Sequence, residues 1–188
     1  ASKIIFTIAG NSPYIDLEEQ VLSELQDVPN STWVNSPSDP DLQKLYEEST
    51  FTVYPSIEEG FGLPILESIW NGKPCICSNE SAMGEVAKEG GCLTADVKSP
   101  KSLCRAMMTL INNTDKYNEL VQESVNRNFK SWNEYSNEII YHLNNDRNLP
   151  STIQKFDVAP NKTIFNRKYI IKYSVENSIV LIKVDVEQ

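Results

Sequence analysis

The stretch Phe51-Thr52-Val53-Tyr54-Pro55-Ser56-Ile57-Glu58-Glu59-Gly60-Phe61-Gly62-Leu63-Pro64-Ile65-Leu66-Glu67 decides how the rest of the chain is read. Residues 51–55 are mostly apolar and predict a short buried strand. Pro64 suits the first turn of a helix, where its missing N–H goes unused. A glycine loop joins the two. Strand, glycine loop and helix N-terminus in that order favour an anion such as a phosphate, because free backbone N–H groups and the positive end of the helix dipole face whatever lies above the loop. Glu59 and Glu67 stand at the two ends of this loop and helix start. Carboxylates repel an anion, so their partners are expected to be hydroxyl groups of a sugar or ribose.

Working outward, residues 3–9 (Lys-Ile-Ile-Phe-Thr-Ile-Ala) form a continuous apolar run closed by Gly10-Asn11-Ser12-Pro13. This predicts a strand buried on both faces, hence a parallel sheet. A helix over 16–27 carries Leu17, Val21, Leu22 and Leu25 at helical spacing, and residues 32–35 read as the next strand. A second helix over 39–49 is expected to be capped by Asp39, with Pro40 at its first position and Leu42, Leu45 and Tyr46 facing inward. Asp39-Pro40-Asp41 also matches an Asp-x-Asp metal pattern, but the cap accounts for both aspartates without a metal.

Beyond the loop, Leu66, Ile69 and Trp70 continue the helix inward and Asn71-Gly72-Lys73-Pro74 ends it. A strand over 75–78, a short helix over 83–89, a Gly90-Gly91 break and a strand over 92–94 follow. The alternation predicts a doubly wound α/β sheet with ligands at the carboxyl ends of its strands. Residues 99–113 form an amphipathic helix with Ser99 as cap, and Met107-Met108 reads as core packing. Helices are expected over 116–129 and 132–143. The tail differs in kind: 169–175 and 179–186 read as two strands of a hairpin around Glu176-Asn177-Ser178.

With 188 residues and 40% hydrophobic content, the chain supports one well-packed domain with an appendage. The net charge of −9 argues against nucleic acid as a partner. Residues 1–146 are strongly acidic and 147–188 are basic, so the expected organisation is a domain over 1–146 and a β-containing tail, or the start of a further domain, over 147–188. No apolar run is long enough to span a bilayer and no signal-peptide layout is visible, so a cytoplasmic location is expected. Cys75, Cys77, Cys92 and Cys104 lack Cys-x-x-Cys spacing, and Cys75 and Cys77 read as buried small hydrophobes. His142, the single histidine, falls in the last predicted helix, away from any nucleophile-like loop, which removes serine-hydrolase chemistry. Walker A and Gly-x-Gly-x-x-Gly strings are absent.

Glu59 and Glu67 enclose seven residues, Gly60-Phe61-Gly62-Leu63-Pro64-Ile65-Leu66. In this the chain resembles the retaining, nucleotide-sugar-dependent glycosyltransferases of family 4 (group 1), whose C-terminal domain carries a Glu-x7-Glu motif within a GT-B fold. The resemblance extends upstream through residues 6–13, 41–46 and 53–56. Downstream it takes in 72–78, Glu85-Val86 and Ser131-Trp132, so that it covers about 3–145.

The resemblance implies a Rossmann-like parallel sheet flanked by helices, the C-terminal half of a GT-B fold, followed by a short β-rich tail. Glu59 would be the catalytic carboxylate on the transferred sugar's hydroxyls, and Glu67 would hold the ribose. The backbone of Gly60, Phe61, Gly62 and Leu63 would lie along the diphosphate and sugar, with Glu67 in the first helical turn. Asn35, Ser36 and Asp39 would lie where the base stacks. The implied activity is hexosyl transfer from a GDP- or UDP-linked sugar to a glycan or lipid-linked acceptor in surface polysaccharide synthesis, without a metal or other cofactor. An N-terminal acceptor domain and the basic residues that neutralise the diphosphate are expected outside this chain, which alone would turn over little. Peripheral association of the full-length enzyme with the inner face of the cytoplasmic membrane is the matching expectation. Alternatives are another GT-B enzyme, sucrose- or trehalose-synthase-like or a nucleotide-sugar epimerase, and a non-catalytic nucleotide-sugar-binding or assembly module.

Overall fold

A computed structural model of the chain describes residues 3–10, 15–145 and 179–185. Strands and helices alternate through most of it: β1 Lys3–Gly10, α1 Ile15–Leu25, β2 Ser31–Asn35, α2 Asp39–Glu48, β3 Phe51–Tyr54, α3 Leu63–Trp70, β4 Cys75–Ser78, α4 Ser81–Ala87 and β5 Cys92–Ala95. Three helices follow, α5 Pro100–Asn112, α6 Thr114–Asn126 and α7 Trp132–Asn145, and then a strand, β6 Ile179–Asp185. The chain divides into a compact unit of residues 1–127 with 174–188, and a second of 128–173.

The first unit is built on one sheet in the order β2-β1-β6-β3-β4-β5. β1 and β2 pair in parallel, as do β3, β4 and β5. That is the doubly wound arrangement expected, with one departure at its centre. β6 lies antiparallel between β1 and β3, Ile182 standing between Phe6 on one side and Phe51 on the other. The second arm of the expected hairpin is thus a central strand of the sheet; its first arm, 169–175, lies outside the described residues. The physical reason is in the side chains: Leu181 and Ile182 are both buried, so β6 has two apolar faces, which a solvent-facing hairpin would leave in water.

Alternation along the strands sends side chains to two cores. On one face Phe51, Val53, Ile76, Ala95 and Ile182 pack with Ala106, Leu110 and Leu120 of α5 and α6. Thr52, Tyr54, Cys75 and Cys77 point to the other, and every residue of β3 and β4 is buried. Burial pushes the Cys75 thiol up, so it stays protonated as an inert hydrophobe. Met107 packs against the first core, whereas Met108 is exposed and corrects the expectation for the pair.

Helix ends follow the chemistry of their caps. Ser99 Oγ accepts from Ser102 N, as expected. The cap of α2 is Ser38, whose Oγ accepts from Asp41 N at 3.4 Å; Asp39 and Asp41 sit in the first turn instead, where the dipole favours acids. Gly72, Gly90 and Gly91 all have positive φ and end their helices as read from the sequence. A Cβ on Gly91 would lie 2.6 Å from Ser124 Oγ, so this turn is also where the chain lets α6 close in. Among the described residues no helix is long and apolar enough to cross a membrane.

Candidate functional site

The parallel strands all end at one edge of the sheet, and the winding reverses there between β1 and β3. In such sheets ligands occupy the crevice outside the carboxyl ends at the reversal. The loop from Pro55 to Gly62 leaves β3 at this edge. Gly62 has φ +78°, and from it α3 starts at Leu63 with Pro64 in its first turn. A Cβ on Gly62 would press on Ile65 Cδ1 at 3.2 Å, so both backbone angle and packing call for glycine. Gly60 is different. A Cβ there would meet nothing within 4 Å, and its φ is not positive, so neither the fold nor the turn requires a glycine. The N–H groups of Gly60, Phe61, Gly62 and Leu63 carry no hydrogen bond among the described residues. Those of Gly62 and Leu63 are unsatisfied donors of the helix start, and those of Gly60 and Phe61 belong to the loop before it.

Glu59 is half-buried at the loop's entrance, and its Oε1 accepts from Tyr54 Oη at 2.7 Å and Ser56 Oγ at 3.0 Å. Glu67 is exposed on α3, and its Oε2 accepts from Tyr46 Oη at 3.0 Å. The expectation that Glu67 lies in the first helical turn is corrected. Because α3 begins only at Leu63, Glu67 is its fifth residue, beyond the reach of the terminal dipole. A buried tyrosine, not the helix end, holds it.

Those tyrosines are residues that the sequence reading passed over as core. Tyr46 and Tyr54 are 2% and 1% exposed, and both phenols are pushed above their ordinary range. Burial is the leading cause in each case, followed by the neighbouring carboxylate, Glu67 or Glu59. A signal existed: a tyrosine at an inward position needs a partner for its hydroxyl.

The second group of expected residues lies at the same edge but farther along. Asn35 ends β2 beside Gly10, Ser36 takes φ 47° and donates its N–H to Gly10 O at 2.7 Å, and Asp39 opens α2. Left-handed backbone at a serine is a strained state that clusters at functional sites. β1 and β6 stand between β2 and β3, so the two groups are three strand spacings apart, about 14 Å. The structure thus brings Glu59, Gly60, Phe61, Gly62, Leu63 and Glu67 together, and sets Asn35, Ser36 and Asp39 across the reversal point from them. Of the basic residues near this edge, Lys98 is exposed and pairs with Glu80 at 3.4 Å. Lys73 lies at the other end of α3, where its Nζ donates to Glu47 O at 2.9 Å, and burial lowers its pKa.

The sequence profile of the family described as "Glycosyl transferases group 1" matches residues 1–127. The chain belongs to that family. Within the group 1 glycosyltransferases it is similar to O-antigen chain mannosyltransferase B of Escherichia coli, with 50% identity over 58 residues, 31% of this chain and 15% of that protein. It is also similar to O-antigen chain mannosyltransferase RfbU of Salmonella typhimurium, with 28% identity over 119 residues, 62% of this chain and 34% of that one. The chain therefore spans about a third or less of these relatives. Among solved structures, sucrose-phosphate synthase from Thermosynechococcus elongatus superposes with a TM-score of 0.57 at 19% identity, over 64% of this chain and 32% of that one. That likeness is one of fold, and it fits the Rossmann-like half of a GT-B glycosyltransferase.

Proposed function

We propose that this group 1 glycosyltransferase chain binds the donor, a nucleotide diphosphate sugar, and forms the donor half of a retaining enzyme of surface-polysaccharide synthesis. One observation carries the reading: four backbone N–H groups without a hydrogen bond among the described residues, those of Gly60 and Phe61 in the loop and of Gly62 and Leu63 at the start of α3, lie along the chain between two tyrosine-held glutamates. The N–H groups suit the diphosphate, and the carboxylates suit the hydroxyls on either side of it, Glu67 the ribose and Glu59 the sugar. Asn35, Ser36 and Asp39, about 14 Å across the edge, suit the base end of an extended nucleotide. In the reaction the bond from sugar C1 to the diphosphate oxygen breaks, its electron pair stays on that oxygen, and an acceptor hydroxyl forms the new bond to C1 while its proton passes to the departing diphosphate. The loop N–H groups oppose the charge that grows on the departing diphosphate. The donor is a hexose linked to GDP or UDP, and the mannosyltransferase names of the two relatives make a mannosyl donor the first to try. The acceptor groups, the cations completing diphosphate neutralisation and any peripheral membrane contact belong to parts of the enzyme beyond this chain, and no metal is required by this reading.

The test is a calorimetric and thermal-shift screen of the chain against GDP- and UDP-linked hexoses. At least one should raise the melting temperature, and Glu67→Ala should cut the shift. No response to any member of the panel would sink the proposal.

A further inference from the structure

Two buried phenols donate to the two glutamates, and neither is itself one of the donor contacts assigned above. We infer that Tyr46 and Tyr54 are positioning residues that fix where the two glutamates reach, Tyr46 acting through Glu67 and Tyr54 through Glu59. The inference deepens the donor reading and rests on it.

Each phenol comes from an element that is held independently of the loop. Tyr54 is the last residue of β3, a strand paired on both sides and buried throughout. Its 2.7 Å bond to Glu59 Oε1 therefore ties a loop carboxylate to the rigid centre of the sheet. Tyr46 projects from α2, and two further bonds join α2 to the region of α3: Gln43 Nε2 to Asn71 Oδ1 at 2.7 Å and Lys73 Nζ to Glu47 O at 2.9 Å. The ring thus arrives at a fixed place, and its hydroxyl meets the exposed Glu67 carboxylate at 3.0 Å. An exposed glutamate ordinarily samples many rotamers, at an entropic cost when a ligand freezes it. A bond from a buried donor removes part of that freedom beforehand. It occupies Oε2 of Glu67 and leaves Oε1 without a hydrogen bond among the described residues, so one oxygen is held and the other can accept from a ribose.

Core packing alone would be served as well by phenylalanine, because burial is a property of the ring and the bond is a property of the hydroxyl. Tyr→Phe separates the two and leaves the ring volume in place. The 188-residue chain is titrated with GDP-mannose, GDP and 2′,3′-dideoxy-GDP, or with the uridine series when that is the one bound. Tyr46→Phe should weaken GDP and GDP-mannose about 5- to 10-fold and leave the dideoxy compound unchanged. Its effect should vanish in a Glu67→Ala background. Tyr54→Phe should weaken GDP-mannose by a similar factor and leave GDP unchanged. Equal losses across all three probes, or a Tyr46→Phe loss that survives removal of Glu67, mean a packing role and overturn the inference. If the wild-type chain binds none of the probes, the donor reading fails by itself. The positioning claim then stands or falls on NMR relaxation of the glutamate methylenes, which should become more mobile at Glu67 in Tyr46→Phe and at Glu59 in Tyr54→Phe. Unchanged mobility in these variants rejects it.

Discussion

Glycines 60 and 62 illustrate how one residue type serves two ends. Gly62 is demanded by the backbone, since its φ of +78° is strained for any residue with a Cβ. Gly62→Ala is expected to lower stability by about 1–2 kcal/mol, measured by urea unfolding. Gly60 has open space above it and an ordinary φ, so Gly60→Ala should leave the unfolding curve unchanged. On the donor reading the added methyl intrudes on the ligand, and affinity for a bound nucleotide sugar should fall several-fold, about 5-fold or more. A loss of stability in Gly60→Ala equal to that in Gly62→Ala would contradict this assignment. Ser68 is a third kind of residue. It is fully buried on α3, donates to Lys73 O at 2.9 Å and therefore accepts from Thr52 Oγ1 at 2.6 Å. The pair locks α3 onto β3 toward the end of the helix away from the loop.

Among the elements, α7 in the second unit carries the clearest local device. Ser131 Oγ accepts from Glu134 N at 3.2 Å while Ser131 N donates to Glu134 Oε2 at 2.7 Å, a reciprocal cap. The bonds from Ser131 hold the Glu134 carboxyl below its usual range, with Lys130 a lesser contributor. A folded pKa below the unfolded value means that the cap stabilises above the unfolded pKa, near 4.5, and loses that contribution as pH falls through the lower folded value. Acidification should thus fray the first turn of α7, read as loss of helical ¹³Cα shifts at 132–135, and Glu134→Gln should shift the midpoint of that loss or abolish it. In the first unit the Gly90-Gly91 turn has Gly91 N donating to Glu123 Oε2 and Arg127 Nη1 donating to Gly90 O. Gly91→Ala, with φ +80° and a Cβ 2.6 Å from Ser124 Oγ, should cost about 2–4 kcal/mol and lower the melting temperature accordingly.

For the first unit as a whole, β6 is the organising surprise. It pairs with β1 over seven residues and with β3 over three, so among the described strands it joins the β1-β2 pair to the β3-β4-β5 group. Thr50 contributes at its far end, donating its N–H to Ile182 O at 2.7 Å and accepting from Val184 N at 2.9 Å. Ile182→Ala removes a side chain with no exposed surface between Phe6 and Phe51, and should destabilise by about 2–4 kcal/mol with loss of protection in β1 and β3 together. Hydrogen exchange that changes in one half alone would show that β6 does not couple them.

How much of this could be read from the chain depended on the range of the forces involved. The βα alternation, the helix ends at Ser99, Gly72 and Gly90-Gly91, and the glycine loop running into a helix between Glu59 and Glu67 were legible, because apolar periodicity and caps act within a few residues. The cap at Ser38 was missed by one position, since Asp39 is as good a capping type and only backbone geometry separates them. The placement of β6 was half-legible: Ile179-Val180-Leu181-Ile182 is the same unbroken apolar run that marked β1 as buried on both faces. Which strands it joins was not, because pairing across more than a hundred residues is chosen by the space left in the assembled sheet.

By itself, the sequence determined the α/β class, the edge at which the loop opens and the two carboxylates that flank it, since these follow from local pattern and spacing. Only the tertiary structure decided what holds those carboxylates. Tyr46 is 21 residues from Glu67 along the chain, and whether a buried hydroxyl meets a carboxylate depends on how two helices pack, which no local signal fixes.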